Sequence, residues 1–276
     1  MKKILVPSDF SRPALEAFRF AIELAKLGKG SVTVVHAIDL PPMIYGGAAD
    51  SPTYIYDPRL RAELKERAER NFTRMNARYG RGAKVRFMVR EGSVFTVVRS
   101  VATAGRFDLV VAGTHGSAGL EEFLVGSNTE KIVRFSPVPV LAIRKAVPVR
   151  SIKNIVVPVS LERGQETFIK KLKVIQQFFR ARLHLLYLNT PLNFVHDHEL
   201  SDFARHHRLS RYTLNIRHHR YELDGIVDFV REIKAQMLAM PTHARKGLAH
   251  LLYGSVTEKV VNRMTCPVWT YSLGKK

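Results

Sequence analysis

The chain contains a single cysteine, Cys266, so no disulfide can form within it. Long apolar runs are also missing, since no stretch reaches the roughly 18 apolar residues that a membrane-spanning helix needs. At the N-terminus only the three apolar residues Ile4–Val6 precede Pro7, which is too few for the apolar segment of a secretory signal. Together these absences predict a protein of the reducing cytoplasm, without a membrane span.

Acidic residues are in short supply, with 24 Asp and Glu against 44 Lys and Arg, which gives a formal net charge of +20. Residues 1–150 carry 24 basic and 14 acidic residues, and residues 151–276 carry 20 and 10, so there is no separate basic tail. Such a charge attracts polyanions such as nucleic acid, anionic lipid or nucleotides. A basic composition that serves solubility is the simpler interpretation, and polyanion binding is the alternative.

The 276 residues exceed the usual size of a single domain, and the composition, 46% hydrophobic and 25% charged, is that of a globular protein. Three segments of the first half recur in the same order in the second half. The matching pairs are Lys3–Asp9 with Asn154–Ser160, Gly126–Val133 with Gly254–Val261, and Pro137–Ile143 with Cys266–Tyr271. The sequence therefore predicts two tandem domains, residues 1–147 and 151–276.

Within the first half, strand and helix signals alternate, which is typical of a parallel α/β sheet. The strand candidates are Ile4–Val6, Val32–Ile38, Lys84–Val89, Leu109–Ala112 and Val138–Ile143. We expect Ser11 to cap a helix that Gly28 ends, and residues 59–78 to form a charged amphipathic helix. The intervening Leu40–Pro58 is rich in Pro, Gly, Ala and Tyr and is expected to be a loop.

A glycine-rich segment carries the clearest chemical signal. Gly113-Thr114-His115-Gly116 follows a buried strand, and Gly126-Ser127-Asn128-Thr129 comes nine residues later, before a helix. Glycine at a strand end lets a ligand approach the backbone, and a helix N-terminus attracts phosphate through its unpaired N–H groups and its dipole. The Ser127 and Thr129 hydroxyls and the Asn128 amide are candidate additional donors. Asp9, at the end of the first strand, is a candidate acceptor for ribose hydroxyls or a ligand of a divalent cation.

The segment is neither a Walker A loop, because no Lys-Ser/Thr follows the glycines, nor the dinucleotide-binding G-x-G-x-x-G. On spacing alone the glycines fit simple turns equally well. The strand before them, the helix after them and Asp9 favour nucleotide binding.

These motifs resemble the universal stress protein family. The resemblance lies in Val6-Pro7-Ser8-Asp9-Phe10-Ser11, in Val35–Asp39 and in Gly113-x2-Gly116-x9-Gly126-Ser127, and it extends over each half of the chain. It implies two doubly wound, Rossmann-like five-stranded parallel sheets of order 3-2-1-4-5. It also implies an intrachain pseudo-dimer in which Val138–Ile143 pairs with Val268–Tyr271. Whether two chains associate further is left open.

The resemblance further implies ATP or AMP as the ligand, often with Mg²⁺ or Mn²⁺. Adenine and ribose would lie near the first strand end and the phosphates near the glycine-rich segment. The implied binding residues are Pro7, Ser8, Asp9, Ala37, Gly113, His115, Gly116, Gly126, Ser127, Asn128 and Thr129. Position 128 departs mildly from the family's usual small apolar residue.

The second half departs further from the motif. Ser160 stands at the position of Asp9, Pro241 at that of Gly113 and Ala244 at that of Gly116, while Gly254-Ser255 persists. Proline lacks the backbone donor and alanine adds a Cβ where the phosphates would pass. We therefore expect residues 151–276 to bind nucleotide weakly or not at all.

Three other features have simpler interpretations. Nine of the eleven histidines lie in the second half, and a polar surface explains them better than a metal site. Cys266, before Pro267, is expected to be a buried structural thiol. Trp269 and Tyr271 share one face of the last strand and are expected in the core of the domain interface.

The leading hypothesis is a stress-response protein that binds an adenine nucleotide as a regulatory ligand in its N-terminal domain. One alternative is a slow ATP phosphohydrolase, although the sequence offers no evident base to orient an attacking water. The other is a basic polyanion-binding protein with a vestigial nucleotide site, which lacks a recognisable nucleic-acid-binding motif.

Overall fold

The computed structural model describes most of the chain. The described residues are 1–39, 43–45, 53–55, 58–114, 127–162, 164–191, 194–242, 257 and 259–273, of which 43–45, 53–55 and 127 are described by their backbone alone. The strands are β1 Lys3–Pro7, β2 Ser31–Ile38, β3 Met43–Tyr45, β4 Thr53–Ile55, β5 Lys84–Glu91, β6 Leu109–Gly113, β7 Val140–Ile143, β8 Asn154–Pro158, β9 Arg182–Asn189, β10 Tyr212–His218, β11 Met237–Thr242 and β12 Val268–Ser272. The helices are α1 Arg12–Gly28, α2 Pro58–Tyr79, α3 Val94–Ala104, α4 Ser127–Phe135, α5 Glu166–Phe179, α6 Asp197–His206 and α7 Glu222–Glu232.

Ten strands of the described chain form one continuous sheet, in the order β10-β9-β8-β11-β12-β7-β6-β1-β2-β5. Each half contributes five parallel strands, and numbering the five along the chain gives the order 3-2-1-4-5 on both sides. The predicted fold class is therefore confirmed, and the five strand candidates of the first half all form strands of this sheet. Among the described helices, none combines the length and the apolarity that crossing a membrane requires.

The central strands are continuous apolar runs because helices cover both faces of the sheet. Ile4, Leu5 and Val6 of β1 have no solvent exposure, and β8 repeats the pattern with Ile155–Val157. This is the composition expected of parallel strands buried on both faces, in contrast to the alternation of a half-exposed strand. β1 lies between β2 and β6, so the later strands of this half are added first on one side of β1 and then on the other.

Helix α1 begins where the sequence predicts. The Ser11 side chain accepts a hydrogen bond from the Ala14 N–H at 3.5 Å, and a proline occupies the first turn. Gly28 is the last helical residue, but the left-handed conformation that closes the helix falls on Lys29, at φ 49°. The Lys29 N–H bonds back to the last carbonyls of the helix, so the glycine ends the helix without serving as its left-handed residue.

The segment Leu40–Pro58 was expected to be a loop, and this was wrong in part. Met43–Tyr45 pairs with Thr53–Ile55 as a small antiparallel sheet, and Pro58 already belongs to α2. Ile, Tyr and Thr are residues that favour strands, and this preference prevails over the surrounding Pro and Gly. The rest of the segment lies outside the described residues.

The two halves meet at β7 and β12, which pair in antiparallel fashion, with Leu141 opposite Trp269. Trp269 is 2% exposed, and its ring lies 5.7 Å from that of Phe168 between centroids. Residues of both halves, including Leu141 and Ile155, belong to the same hydrophobic core. The predicted pairing of the last strands and the core position of Trp269 are thus confirmed, whereas the domain boundary between 147 and 151 stays a prediction.

Candidate functional site

A cleft of about 160 Å³ opens at the carboxyl ends of β1, β2 and β6, beside the N-terminal ends of α1, α3 and α4. Because the strand order reverses at β1, this is the switch point where open α/β sheets bind their ligands. The fold brings seven of the predicted binding residues together around the cleft, namely Pro7, Ser8, Asp9, Ala37, Gly113, Asn128 and Thr129.

The other four predicted residues are described incompletely or not at all. His115, Gly116 and Gly126 lie outside the described residues. Ser127 is the first residue of α4, as the phosphate-binding hypothesis requires, but only its backbone is described.

The turn from β1 to α1 is held by its own side chains. Ser8 is 6% exposed, its N–H donates to the Val35 carbonyl at 2.9 Å, and its hydroxyl oxygen accepts from the Phe10 N–H at 3.1 Å. Asp9 Oδ1 accepts from the Ser11 N–H at 3.0 Å. Phe10 has φ 62°, a conformation that is uncommon for an aromatic residue. The turn thus fixes an exposed carboxylate at the mouth of the cleft.

His36 also lines the cleft, although the sequence did not single it out. Its Nδ1 lies 2.8 Å from the Ser8 carbonyl oxygen, so Nδ1 carries the proton and donates it. The ring packs against Phe10 with 5.1 Å between centroids. The sequence signal was available, because His36 lies within the Val35–Asp39 stretch that carries the family resemblance.

One wall of the cleft is apolar. Val94, Val97 and Val98 of α3 face it together with Ile132 of α4 and Val35 of β2. The sequence prediction did not include these residues, since apolar residues at helical spacing indicate core before they indicate a site. The cleft therefore combines an apolar wall with a polar edge at Asp9 and Asn128, as small-molecule sites commonly do.

Gly113 has a structural reason beyond the predicted approach of a ligand. A Cβ added there would lie 2.3 Å from the Pro13 carbonyl oxygen and 2.8 Å from the Ala14 nitrogen. Both are backbone atoms of the first turn of α1, which cannot rotate away. Glycine at this position therefore lets β6 end directly against the start of α1.

Thr129 also has a structural role, which differs from the predicted one. Its hydroxyl donates to the Gly113 carbonyl at 3.0 Å, so in this geometry its proton is not available to a phosphate. The repeat supports this conclusion, since Thr257 makes the equivalent bond to the Pro241 carbonyl at 3.4 Å. The bond therefore joins the helix to the strand end in both halves, whether or not the glycine motif is intact.

Comparison with known proteins agrees with this architecture. The model of the universal stress protein family matches residues 1–144 and 215–272. The chain belongs to the universal stress protein family. A universal stress protein of Methanocaldococcus jannaschii is 31% identical over 144 residues, which cover 52% of this chain and 82% of that protein. A second relative, a universal stress protein of Staphylococcus saprophyticus, is 31% identical over 151 residues, covering 52% of this chain and 83% of that protein.

A solved structure extends the likeness to the whole chain. The crystal structure of a universal stress protein from Archaeoglobus fulgidus matches with a TM-score of 0.79 and covers 99% of this chain and 98% of that one, at 17% identity. At this identity the match concerns the fold alone. It shows that a paired arrangement of two such halves is shared with another member of the universal stress protein family.

In the second half of this universal stress protein, a glutamine side chain takes over the turn after the first strand. Gln165 is 2% exposed and donates to the Ser160 carbonyl and hydroxyl oxygens and to the Glu162 carbonyl. Ser160 is the residue that stands at the position of Asp9. The Gln165 amide nitrogen therefore bonds to oxygens of this turn, where the first half presents a carboxylate. The predicted Ala244 and Gly254-Ser255 lie outside the described residues.

The histidines form no metal site in the described parts of the chain, where no group of three or more His, Cys, Asp or Glu side chains is placed to hold an ion. His184 is part of the structure of the sheet: its Nε2 lies 3.0 Å from Asn154 Oδ1 and its Nδ1 lies 2.9 Å from the Thr213 hydroxyl. Burial, and then Arg182, lower the pKa of His184. Burial raises the pKa of Cys266 to about 12, which fits an inert thiol.

Proposed function

We propose that this universal stress protein binds one adenine nucleotide, ATP or AMP, in the cleft of its N-terminal half and acts as a regulatory or sensory binding protein. One observation carries the proposal: seven of the eleven predicted binding residues lie around a cleft at the switch point of the sheet. The family resemblance adds the identity of the base.

Each part of the cleft suits one part of the nucleotide. The apolar wall of Val35, Val97 and Ile132 offers a surface for the adenine ring. Asp9 is a carboxylate of the kind that accepts hydrogen bonds from ribose hydroxyls. The backbone N–H groups at the start of α4 and the Asn128 amide are donors for the phosphates.

A divalent cation fits the same edge. Asp9 is the carboxylate among the described residues that line the cleft. Its Oδ1 accepts a hydrogen bond from the Ser11 N–H, and its Oδ2 accepts none from the described residues. Mg²⁺ and Mn²⁺ bind carboxylate and phosphate oxygens together, and Mg²⁺ keeps several waters. Asp9 would therefore supply one oxygen and the nucleotide phosphates would supply others, neutralising part of the phosphate charge.

The cleft suits binding better than rapid catalysis. Asp9 and His36 are the titratable residues among those that line it in the described structure. His36 Nδ1 is engaged by the Ser8 carbonyl, and one Asp9 oxygen is engaged by the Ser11 N–H. Phosphoryl transfer to water depends on orienting the attacking water and on stabilising charge. We therefore expect any ATP hydrolysis to be slow compared with dissociation of the nucleotide.

The test is calorimetric titration of nucleotide-stripped protein with ATP and Mg²⁺. We expect one site per chain, weakened by Asp9→Ala and weakened at least tenfold by Gly116→Val. The matched controls are Ser160→Ala and Ala244→Val at the equivalent positions of the second half, which should leave the affinity unchanged. Thr129→Val should also keep the affinity, because its hydroxyl is bonded to Gly113.

Two results would contradict the proposal in different ways. Two sites per chain would mean that Pro241 and Ala244 are tolerated and that the second half is also a nucleotide site. An absence of binding by the wild-type protein, at low and at moderate salt, would remove the nucleotide proposal itself. The thermal midpoint of each variant shows whether a lost affinity reflects a lost fold.

A further inference from the structure

A second cavity, of about 350 Å³, lies in the C-terminal half, at the amino ends of β9 and β10. Among the described residues, four cationic side chains line it: Lys173, Arg180, Arg208 and Arg211. We call this cavity the basic pocket. The other described lining residues are two glutamines, an alanine and a serine, and no carboxylate is among them. Within its half, the basic pocket lies at the edge of the sheet opposite to the carboxyl ends of the strands.

The four cations of the basic pocket are not neutralised by the protein. In the described part of the structure, none of their side chains makes a hydrogen bond or an ion pair. Some arginines elsewhere on the same half do pair, as Arg205 does with Asp202 and Arg217 with Glu232. Like charges gathered in a concave surface repel one another and attract an anion from solution. The missing partner of the basic pocket is therefore negatively charged.

Three residues of the basic pocket have a left-handed backbone conformation, which also follows other helices of the described chain, as at Lys29. Arg180, Arg208 and Arg211 have φ values of 50°, 47° and 53°, in the left-handed region where glycine or asparagine is normal. In that region the Cβ of an L-residue lies too close to the following carbonyl oxygen, so the conformation is disfavoured for arginine. The helix dipole favours a cation after the C-terminal end of a helix, which accounts for Arg180 after α5 and Arg208 after α6. The helix dipole does not account for the cations at Arg211, which precedes β10, or at Lys173, which lies in the middle of α5.

The basic pocket is preformed by a buried amide. Gln176 is 7% exposed, and its Nε2 donates to the Ser210 carbonyl at 2.6 Å and to the Ala181 carbonyl at 3.4 Å. These bonds tie the segment before β10 to the segment between α5 and β9. The backbone positions that carry the arginines of both segments are thereby held around one cavity, so an anion has to order only the exposed side chains.

We propose that the basic pocket binds a compact polyphosphate anion, such as pyrophosphate, tripolyphosphate or the phosphate tail of a nucleotide. Four cations in one cavity suit a ligand with several negative charges, and guanidinium groups match phosphate oxygens in pairs. A nucleic-acid strand is disfavoured because the described residues that line the cavity include no aromatic side chain to stack a base. This site is separate from the nucleotide cleft, which belongs to the N-terminal half.

The test is calorimetric titration with sodium tripolyphosphate, without divalent cations and at constant ionic strength. The test variant is Arg180→Asn with Arg208→Asn and Arg211→Asn, since asparagine tolerates the left-handed conformation. The control variant removes three charges elsewhere, with Arg67→Gln, Arg74→Gln and Arg99→Gln on exposed helix positions of the first half. Both variants are also made in the Gly116→Val background, so that phosphate in the nucleotide cleft does not contribute.

We expect the test variant to lose at least tenfold in affinity and the control variant to change less than twofold, with the thermal midpoint of the test variant at or above that of the wild type. Equal losses in both variants would reduce the effect to net charge and overturn the proposal, as would an absence of binding by the wild type. A single-stranded 12-nucleotide DNA that binds more tightly than tripolyphosphate, and is lost in the same variant, would replace the proposed ligand with nucleic acid. None of these outcomes depends on whether ATP binds in the cleft.

Discussion

Gly113 illustrates how closely the first turn of α1 and the end of β6 approach each other. The space that a Cβ would need is filled by the backbone of Pro13 and Ala14. A glycine that the sequence analysis assigned to ligand approach therefore also lets β6 and α1 pack closely beside the cleft. The two roles can be separated, because they affect different measurements.

We predict that Gly113→Ala lowers the free energy of unfolding by about 1–3 kcal/mol, the usual loss on overpacking. The reason is the 2.3 Å approach to the Pro13 carbonyl oxygen. Urea unfolding measures this loss in the free energy of unfolding, and the m-value is expected to stay unchanged. Gly105→Ala is the control, since its Cβ would first meet the Phe107 ring, which can move, and a smaller loss is expected. If Gly113→Ala is as stable as the wild type but no longer binds ATP, the glycine serves ligand binding alone.

His184 makes stability depend on pH. Burial, and secondarily Arg182, lower its pKa in the folded protein, so below about pH 6.5 the unfolded chain binds more protons than the folded one. The contribution of His184 to the free energy of unfolding is therefore present above about pH 6.5 and falls as the pH drops toward the lowered pKa. We predict that His184→Gln removes this part of the slope of the unfolding free energy between pH 7.5 and 5.5, while His218→Gln, at an exposed position, retains it. An unchanged slope in His184→Gln would contradict this assignment.

At the scale of the elements, strands were predictable and the details at their ends were not. Ile4–Val6 and Leu109–Ala112 are apolar because both faces of the sheet are covered, and a buried run of this kind is visible in the sequence. The short strands Met43–Tyr45 and Thr53–Ile55 were missed because the Pro and Gly around them indicate a loop. The left-handed residue after α1 is Lys29, which the glycine at position 28 did not predict.

The cleft was predictable where its residues follow strands and helix starts. Asp9, Gly113 and Asn128 all stand at such positions, and parallel strands bring these positions to one edge. Val97 and Ile132 were not predictable, because an apolar residue on a helix has the same appearance in a core and in a ligand pocket. The Thr129 hydroxyl was assigned to phosphate because sequence cannot show that the Gly113 carbonyl lies 3.0 Å away.

At the scale of the whole molecule, the two halves share their interior. The antiparallel pairing of β7 with β12 makes one sheet, and the core on one face contains Leu141 and Ile143 together with Ile155 and Trp269. The short helical turn Val149–Ser151 between the halves is also anchored, since Val149 is 1% exposed and Ile152 is fully buried. A separated half would expose the edge of β7 or β12 and a large apolar surface.

Trp269 is the one tryptophan of the sequence, and its place at this junction makes it a direct probe of the pairing between the halves. Because the core is continuous across the junction, we predict that urea unfolds both halves in one transition. Trp269 fluorescence and far-UV circular dichroism should then give the same midpoint. Phe168→Leu removes the ring beside Trp269 and should lower both midpoints together. A fluorescence change that precedes the loss of circular dichroism would show instead that the halves separate before either one unfolds.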